Sequence, residues 1–238
     1  MKISQVFFSD NPELPLPPAI QTAVDSVRAN FPEAEHKLYN EQEVREIIDE
    51  HFHADVLQAF DKIRSYCCKA DLARFCLLYL YGGWYFDVTV RVMQPMTLHG
   101  DAIDILAFRD VNRYLGSTNS CDGCVIYASK PKQDIFVDAI DKCVDHISSD
   151  YYGWNPLAVT GPIVWGDIVT DNFVPGRYVF GDVIELTPGY QNKNKAMVMP
   201  NGDIFAFKKK SGGGDLSALG AVGTNNYNEL WQFRRLYK

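Results

Sequence analysis

The sequence predicts a single α/β domain in which a mixed, mostly parallel central sheet is flanked by helices. Within the first 50 residues, two strand-like runs alternate with two helical patterns, which is typical of folds built around parallel strands. The chain has 238 residues, of which 47% are hydrophobic, so it can bury a substantial core and still form one domain. We find no internal repeat or linker, and the domain is therefore expected to span residues 1–238.

The first quarter of the chain has clear element boundaries. The run ISQVFF, residues 3–8, predicts the first strand, and Pro17-Pro18 then opens a helix because proline fits the first helical turn. The second strand is predicted at HKLY, residues 36–39. Asn40 follows it, and Glu43 stands three residues later, which is the spacing of a capping box at a helix N-terminus.

Two further helices are predicted at residues 54–64 and 69–81. Asp71 and Arg74 lie three residues apart in the second of them, so both side chains are expected to project from one side of the helix. On a neighbouring face, four residues at 3.6-residue spacing predict a core-facing stripe: Leu72, Phe75, Cys76 and Tyr79.

After Gly82-Gly83 the sequence predicts a succession of short strands and two helices. One helix is expected at residues 133–147, which carry an apolar face, and the other follows a turn within residues 159–169. The strands are expected in the apolar or alternating runs WYF, TVRV, DILAF, CVIYA, YVFGDVIEL, AMVMP and DIFAFKK.

Composition disfavours several classes of partner. The net charge of -7 does not attract nucleic acid or an anionic membrane. Only six residues separate Lys2 from Ser9, too few for the core of a signal peptide, and no apolar run approaches the roughly 20 residues that cross a bilayer. We therefore expect no bound nucleic acid, no transmembrane segment and at most peripheral contact with a membrane.

Six cysteines are spread along the chain. Cys121-x-x-Cys124 has the spacing of half a zinc site, but no second Cys or His pair at zinc-ligand spacing accompanies it. Free thiols in a reducing compartment are the expected state, which favours a cytoplasmic location. A zinc or redox protein is the least favoured alternative.

Asp87 stands where the predicted strand WYF ends, and this is the place where open α/β sheets bind ligands. The Gly82-Gly83 turn returns the preceding helix to this strand, so Asp71 and Arg74 are expected to converge near Asp87. Together they offer the acceptors and donors that sugar hydroxyls need. The alternatives are an Asp that stabilises a turn and an exposed ion pair worth a few tenths of a kcal/mol.

The segment ADLARFCLLYLYGGWYFDVTV, residues 70–90, resembles the core of glycosyltransferase family 32, a family with a DxD sugar-binding motif that includes enzymes of capsule and glycan assembly. The family pattern is Ser-Asp-x-x-Arg, an apolar helix, and Tyr-Gly-Gly-(Ile/Val)-Tyr-(Leu/Phe)-Asp-x-Asp. Here Asp71, Arg74 and residues 81–87 follow that order and spacing, a match over roughly 20 positions. Weaker similarity extends to ISQVFFSD at the N-terminus, to SKPKQDIF and to the TGP turn at residues 160–162.

The resemblance implies a GT-A fold that binds a nucleotide-sugar with a divalent cation and transfers the sugar with retention at the anomeric carbon. It assigns Asp71 and Arg74 to the donor sugar's hydroxyls, and Asp87 to the ribose, diphosphate and cation. The family's first strand supplies contacts to the nucleotide, and this role carries over to Gln5 and Phe7.

Two departures from the family pattern concern the cation, expected to be Mn²⁺ or Mg²⁺. The motif reads DxT, because Thr89 replaces the second Asp, and a neutral hydroxyl should bind a hard cation more weakly. Gly223 stands where the family tends to carry a His that holds the metal and diphosphate. Substitute ligands within reach by sequence are Asp215, Asn226, Asn228 and Glu229, each equally consistent with an ordinary surface group.

Other residues have weaker assignments. The cationic run 208–210 and the Gly-rich loop 211–215 could neutralise and enclose a diphosphate, or simply form a solvated strand end and loop. Trp84, Tyr85 and the aromatic segment 151–156 are candidates for stacking against an acceptor sugar.

The sequence therefore predicts a hexosyltransferase that uses a UDP- or GDP-sugar and a glycan or glycolipid acceptor, as in polysaccharide biosynthesis. Thr89 and Gly223 favour one alternative, a noncatalytic nucleotide-sugar or glycan binding module on a transferase scaffold. The second alternative is a metal-independent transferase in which the lysine run replaces the ion.

Overall fold

The computed structural model describes residues 1–96, 103–110, 119–186, 194–209 and 212–238. Within these residues the chain forms an α/β fold with a nine-stranded sheet flanked by helices. The helices are α1 (Pro18–Asn30), α2 (Glu41–His51), α3 (Ala54–Lys62), α4 (Tyr66–Tyr81), α5 (Asp134–Ser148), α6 (Pro162–Asp171) and α7 (Tyr227–Gln232). The strands are β1 (Lys2–Val6), β2 (Glu35–Tyr39), β3 (Gly83–Phe86), β4 (Val90–Val92), β5 (Ile105–Asp110), β6 (Cys121–Ala128), β7 (Tyr178–Glu185), β8 (Asn194–Val198) and β9 (Ile204–Lys209).

The sheet has the order β2-β1-β3-β6-β5-β7-β8-β9-β4 and is mixed. Three described strand pairs are parallel, namely β1–β2, β1–β3 and β5–β7. The other five are antiparallel, so the expectation of a mostly parallel sheet is wrong. Helices connect strands in the first third of the chain and again between β6 and β7, whereas no helix among the described residues separates β7, β8 and β9, which pair antiparallel.

The expected helix starts at the N-terminal end are confirmed. Pro18 lies in the first turn of α1 and lacks the N–H that would have no partner there. Asn40 and Glu43 form the capping box at α2, with both side-chain-to-backbone distances at 2.9 Å. Contacts between residues close in sequence thus define both helix starts without help from tertiary contacts.

Helix α4 is buried on nearly all sides rather than along one stripe. Ten of its residues between Cys68 and Leu78 are buried, including the charged Lys69, Asp71 and Arg74. The helix packs against α5 and against β1 and β3 of the sheet. Because charged groups in such a position need partners, the environment of α4 explains the polar network described below.

The sheet curls so that its last strand, β4, approaches β3. Strand β3 is third in the order and β4 is last, yet only Asp87–Thr89 separate them in the chain. Such a connection spans at most about 14 Å. The curl places β9, the partner of β4, beside the C-terminal end of β3.

The two cysteines of the CxxC pair belong to opposite sides of the sheet. Cys121 and Cys124 are both buried on β6, but they lie in separate hydrophobic clusters. All six cysteines of the chain are unpaired thiols. Since the two side chains face different clusters, they do not form half of a zinc site.

Candidate active site

A cavity of about 220 Å³ lies at the end of β3. Strand β1, helix α4, the turn after β3, and strands β6, β8 and β9 all contribute to its wall. The polar and charged side chains that line it include Asp71, Arg74, Asp87, Asp122, Lys195 and Lys208. The sequence predicts a ligand site at this position, the C-terminal end of β3.

Arg74 is the centre of one group of charged side chains. Its Nη1 lies 2.8 Å from Oδ1 of Asp71, and its Nη2 lies 3.2 Å from Oδ1 of Asp87. The guanidinium also stacks over Tyr85, with 5.0 Å between its central carbon and the ring centroid. Burial by itself lowers the pKa of Arg74, but the carboxylates of Asp71 and Asp87 outweigh it, so the guanidinium stays charged.

The ion pair between Asp71 and Arg74 is enclosed by protein, unlike an exposed pair with the same spacing. The side chains of Asp71 and Arg74 are 7% and 5% exposed, whereas Asp25 and Arg28 on α1 are 56% and 49% exposed. Burial raises the pKa of Asp71 above its usual value, against the effects of Arg74 and of a hydrogen bond from Thr160 at 2.9 Å. An ordinary surface ion pair therefore does not describe this site.

Asp87 is held in place through its carboxylate and its backbone. The Tyr85 hydroxyl donates to Oδ1 at 3.0 Å, and the Lys208 ammonium lies 3.7 Å from Oδ2. The backbone N–H donates to the carbonyl of Cys124 on β6 at 2.8 Å. The predicted convergence of Asp71, Arg74 and Asp87 is thus present in the structure.

A second group of charges lies on the sheet beside Asp87. Lys208 contacts both oxygens of Asp122, at 3.1 and 3.3 Å. Lys195 lies 3.0 Å from Oδ2 of Asp110 and 3.7 Å from Oδ2 of Asp122. The two lysines are directly opposite each other on β8 and β9, so the carboxylates offset a like-charge pair.

The pKa values of this second group follow from those contacts. Burial by itself raises the pKa of Asp122, but the ammonium groups of Lys208 and Lys195 hold it well below its ordinary value. For Lys208, burial lowers the pKa and the Asp122 carboxylate raises it more strongly. Both groups therefore stay ionised at neutral pH.

Sequence reasoning missed three members of these networks. The sequence pattern marks the two cysteines that flank Asp122 and not Asp122 itself, gives no sign for Lys195, and indicates only a TGP turn at Thr160. Asp122 and Lys195 stand just before the apolar runs CVIYA and AMVMP, so the local sequence pattern does not mark either charge as buried. Their meeting with Lys208 depends on the pairing of β8 with β9, which the sequence does not specify.

The two residues assigned to the nucleotide have different surroundings. Phe7 is half-buried, lines the cavity and can face a ligand. Gln5 is fully buried, and its side chain contacts His36 at 2.6 Å and the backbone oxygen of Asp87 at 3.5 Å. Gln5 therefore supports the turn after β3 and is not part of the cavity wall.

The residues at the expected cation position do not fit a divalent ion. Oδ1 of Asp87 contacts Arg74 and Tyr85, Oδ2 faces Lys208, and Thr89 contributes no charge. No group of three or more His, Cys, Asp or Glu side chains among the described residues is arranged to hold a metal. Hard cations prefer several oxygen ligands, of which carboxylates are the strongest, and this set does not supply them.

The backbone at Gly223 also disfavours a side chain such as the His that the resemblance suggests. Its φ is +75°, and a Cβ there would lie 2.6 Å from Nδ2 of Asn11. The four proposed substitute ligands lie outside the cavity wall. Asp215 accepts hydrogen bonds from Ser217 and Thr224, Asn226 caps α7, and Asn228 and Glu229 are exposed.

The loop and aromatic candidates are only partly near the cavity. Gly214 lines it, whereas Lys210 and Ser211 lie outside the described residues. Trp84 is 1% exposed within a hydrophobic cluster, so its assignment to an acceptor sugar is wrong. Tyr85 is buried beneath Arg74, and of the segment 151–156 only Pro156 lines the cavity.

The candidate site lies in a part of the chain that matches a known protein-family model. Residues 17–109 match the model of the glycosyltransferase sugar-binding region containing the DXD motif. The matched segment includes Asp71, Arg74, Asp87 and Thr89. The match supports the general glycosyltransferase resemblance of the chain.

Among solved structures, the PaToxG glycosyltransferase shares the fold, with a TM-score of 0.52 and 12% identity over 72% of this chain and 68% of that one. The galactosyltransferase LgtC, solved with donor and acceptor sugar analogs, gives a TM-score of 0.41 and 16% identity over 75% of this chain and 73% of that one. The fold comparison rests on the first of these. No curated protein sequence matches the chain significantly. Across the described residues, none of the helices combines the length and apolarity needed to cross a membrane.

Proposed function

We propose that this protein is a glycosyltransferase that moves a hexose from a UDP- or GDP-sugar to a glycan or glycolipid acceptor, with retention of the anomeric configuration. The observation that carries this proposal is the buried network of Asp71, Arg74 and Asp87 at the end of β3. It lies in a cavity wall and inside the segment that matches the glycosyltransferase family model.

The chemistry of the network suits a sugar. Hexose hydroxyls both donate and accept hydrogen bonds, and the network offers carboxylate oxygens beside a guanidinium. Nε of Arg74 is buried and has no hydrogen-bond partner among the described residues. An unsatisfied buried donor is expected where a bound ligand or an ordered water completes the site.

A purely structural role is the competing explanation for these charges. Buried ion pairs contribute little net stability, because the cost of removing charges from water offsets their attraction. Clusters of ionisable groups with shifted pKa values next to a cavity are more typical of functional sites. Since Asp71, Arg74 and Asp87 all line the cavity, a ligand-binding role explains these buried charges better.

The remaining parts of the donor and the acceptor are assigned by position. Phe7 lines the cavity on the side of β1 and is proposed to contact the nucleotide base. Pro156 and Leu157 line another part of the wall and are proposed to face the acceptor. Retention rests on the family resemblance, and NMR of the product tests it, because the proposal requires the donor's anomeric configuration.

The first experiment is a thermal-shift panel of UDP- and GDP-hexoses, followed by measurement of donor hydrolysis with and without Mn²⁺. We expect one nucleotide series to raise the melting temperature and at least one sugar of that series to be hydrolysed. Free uridine and guanosine serve as controls that lack the diphosphate and sugar. If no nucleotide-sugar binds under either condition, the proposed function is wrong.

A noncatalytic nucleotide-sugar binding module is the second candidate, and Thr89 and Gly223 are the observations that favour it. Both replace groups that the resemblance assigns to the cation. The same panel separates the two candidates, because a binding module would be stabilised by a nucleotide-sugar without hydrolysing it or transferring the sugar.

Replacing Gly123 with Ala is expected to lower activity by about 100-fold while the protein still folds, because misplacing a catalytic group by about 1 Å has that effect. The added Cβ would lie 2.1 Å from Nη1 of Arg74, whose side-chain end must then move. Gly212→Ala is the matched control, since a Cβ there meets nothing within 4 Å. Donor hydrolysis and circular dichroism check the result, and unchanged hydrolysis in Gly123→Ala would contradict the placement of Arg74.

A further inference from the structure

We propose that the Lys208 ammonium supplies the fixed positive charge that faces the donor diphosphate, so that the protein works without a divalent cation. This inference rests on the proposed function, since it concerns the same cavity and the same donor. It assigns Lys208 a direct contact with the diphosphate and gives Asp122 the role of a positioning residue.

The first step of the argument is that Lys208 lies where a cation bound to Asp87 would be. Its Nζ is 3.7 Å from Oδ2 of Asp87, the carboxylate oxygen that neither Arg74 nor Tyr85 contacts. A divalent ion coordinated by that oxygen would lie close to an ammonium group, and the two positive charges would repel each other. The Asp87 carboxylate therefore faces the Lys208 ammonium and does not coordinate a metal ion.

The second step is that the position of Lys208 is fixed by the sheet. Strand β9 pairs with β4 directly after the DxT motif, with Val90 opposite Lys208 and the Lys209 N–H donating to the Thr89 carbonyl at 3.2 Å. At the other end of the side chain, Asp122 holds the ammonium through both carboxylate oxygens. A charge fixed before the substrate binds can stabilise developing negative charge without reorganisation.

The third step is that Lys208 keeps donor capacity for a ligand. An ammonium has three N–H donors, and the side chain of Lys208 is 21% exposed where it lines the cavity. Lys195 contacts Asp122 from the neighbouring strand and Asp110 at its far side. The Asp122 charge is therefore shared between two lysines, which leaves Lys208 able to interact with an added anion.

The reaction that this charge assists is balanced without a metal. The bond between the anomeric carbon and the diphosphate oxygen breaks, and its electron pair leaves with the nucleoside diphosphate. The new bond forms between the anomeric carbon and the acceptor hydroxyl oxygen, and the proton of that hydroxyl passes to the departing phosphate oxygen. Lys208 donates a hydrogen bond to the departing oxygen and keeps its proton.

Removing the lysine should create a requirement for a cation. The two groups contain four carboxylates, on Asp71, Asp87, Asp110 and Asp122, and three cationic side chains, on Arg74, Lys195 and Lys208. In Lys208→Met, four carboxylates would face two cations, and Asp87 and Asp122 would each lose a partner. A divalent ion is the charge that this variant would need before a diphosphate could approach.

The test measures UDP or GDP binding by calorimetry and donor hydrolysis in excess EDTA and in Mn²⁺, for the wild type and two variants. We expect the wild type to be equally active in both, and Lys208→Met to lose about 100-fold in EDTA and to recover partly with Mn²⁺. Lys209→Met is the matched control, because Lys209 is the next residue of β9 and is exposed, and it should stay within about twofold of the wild type.

Each outcome decides a different statement. If EDTA abolishes wild-type hydrolysis and Mn²⁺ restores it, the inference about Lys208 is overturned while the proposed function stands. If no nucleotide-sugar binds in either condition, the proposed function fails with it. Should Lys208→Met not fold, Lys208→Arg, which keeps the charge, is expected to remain active in EDTA, and a Mn²⁺ requirement in that variant overturns the inference.

Discussion

Replacing Arg74 with Met is expected to reduce sugar transfer by about 100- to 1000-fold. We also expect it to lower the free energy of unfolding by about 3–5 kcal/mol, the range for breaking a buried ion pair. Arg74 is the only described cation within salt-bridge distance of Asp71, and it also contacts Asp87. Among the described residues, the Met variant leaves the buried Asp71 carboxylate with the Thr160 hydroxyl as its remaining side-chain hydrogen-bond partner.

The matched control is Arg28→Met on α1. Arg28 pairs with Asp25 at the same i, i+3 spacing, but both side chains are about half exposed, so its loss should change the free energy of unfolding by less than about 0.5 kcal/mol. Arg74→Lys separates charge from geometry, because lysine keeps the charge and loses the planar fork that contacts two carboxylates. Urea unfolding and donor hydrolysis measure the effects, and equal results for Arg74→Met and Arg28→Met would refute the assignment.

Replacing Asp122 with Asn is expected to destabilise the fold by about 3–5 kcal/mol, because Lys208 loses its closest carboxylate in a buried site. The amide is nearly isosteric with the carboxylate, so the change removes charge without creating a cavity. The matched control is Asp182→Asn on β7, where Asp182 forms an exposed pair with Arg109. Urea unfolding at pH 7 compares the two variants, and an equally small effect of both would contradict the role of Asp122.

The Asp122→Asn variant is also expected to differ from the wild type in how its stability changes with acid pH. Lys208 and Lys195 hold the pKa of Asp122 below its ordinary value of 3.8 in the folded protein, despite burial, which by itself raises it. A carboxylate whose pKa is lower in the folded than in the unfolded protein stabilises the fold at pH values above its unfolded pKa. This stabilisation is lost as the pH falls towards the folded pKa. Below pH 3.8, wild-type stability should therefore decline more steeply than that of Asp122→Asn, and parallel curves would contradict this.

The first quarter of the chain shows what local sequence can predict. Pro18 and the Asn40–Glu43 capping box mark helix starts through contacts among neighbouring residues, and the structure has both. Asp71, Arg74 and Asp87 were predictable as a group for a related reason. They belong to one helix, one turn and the end of one strand, which adjoin each other in the chain.

The errors have a common physical origin in long-range pairing. The mostly parallel sheet was wrong because helical connections in the first part of the chain do not determine how later strands pair. Trp84 was wrongly assigned to an acceptor because strand alternation does not show which face of β3 is covered. In both cases the deciding contacts join residues that are far apart in sequence.

The sequence by itself determined the α/β class, the convergence of Asp71, Arg74 and Asp87, and the absence of a second Asp at Thr89. Only the tertiary structure decided which charged group lies beside Asp87 where the second Asp of the motif is absent. The curl of the sheet brings Lys208 on β9 to within 3.7 Å of Asp87, and β6 supplies the Asp122 that holds it. Side chains 35 to 121 residues apart meet there because strand pairing, which depends on the whole core, sets their positions.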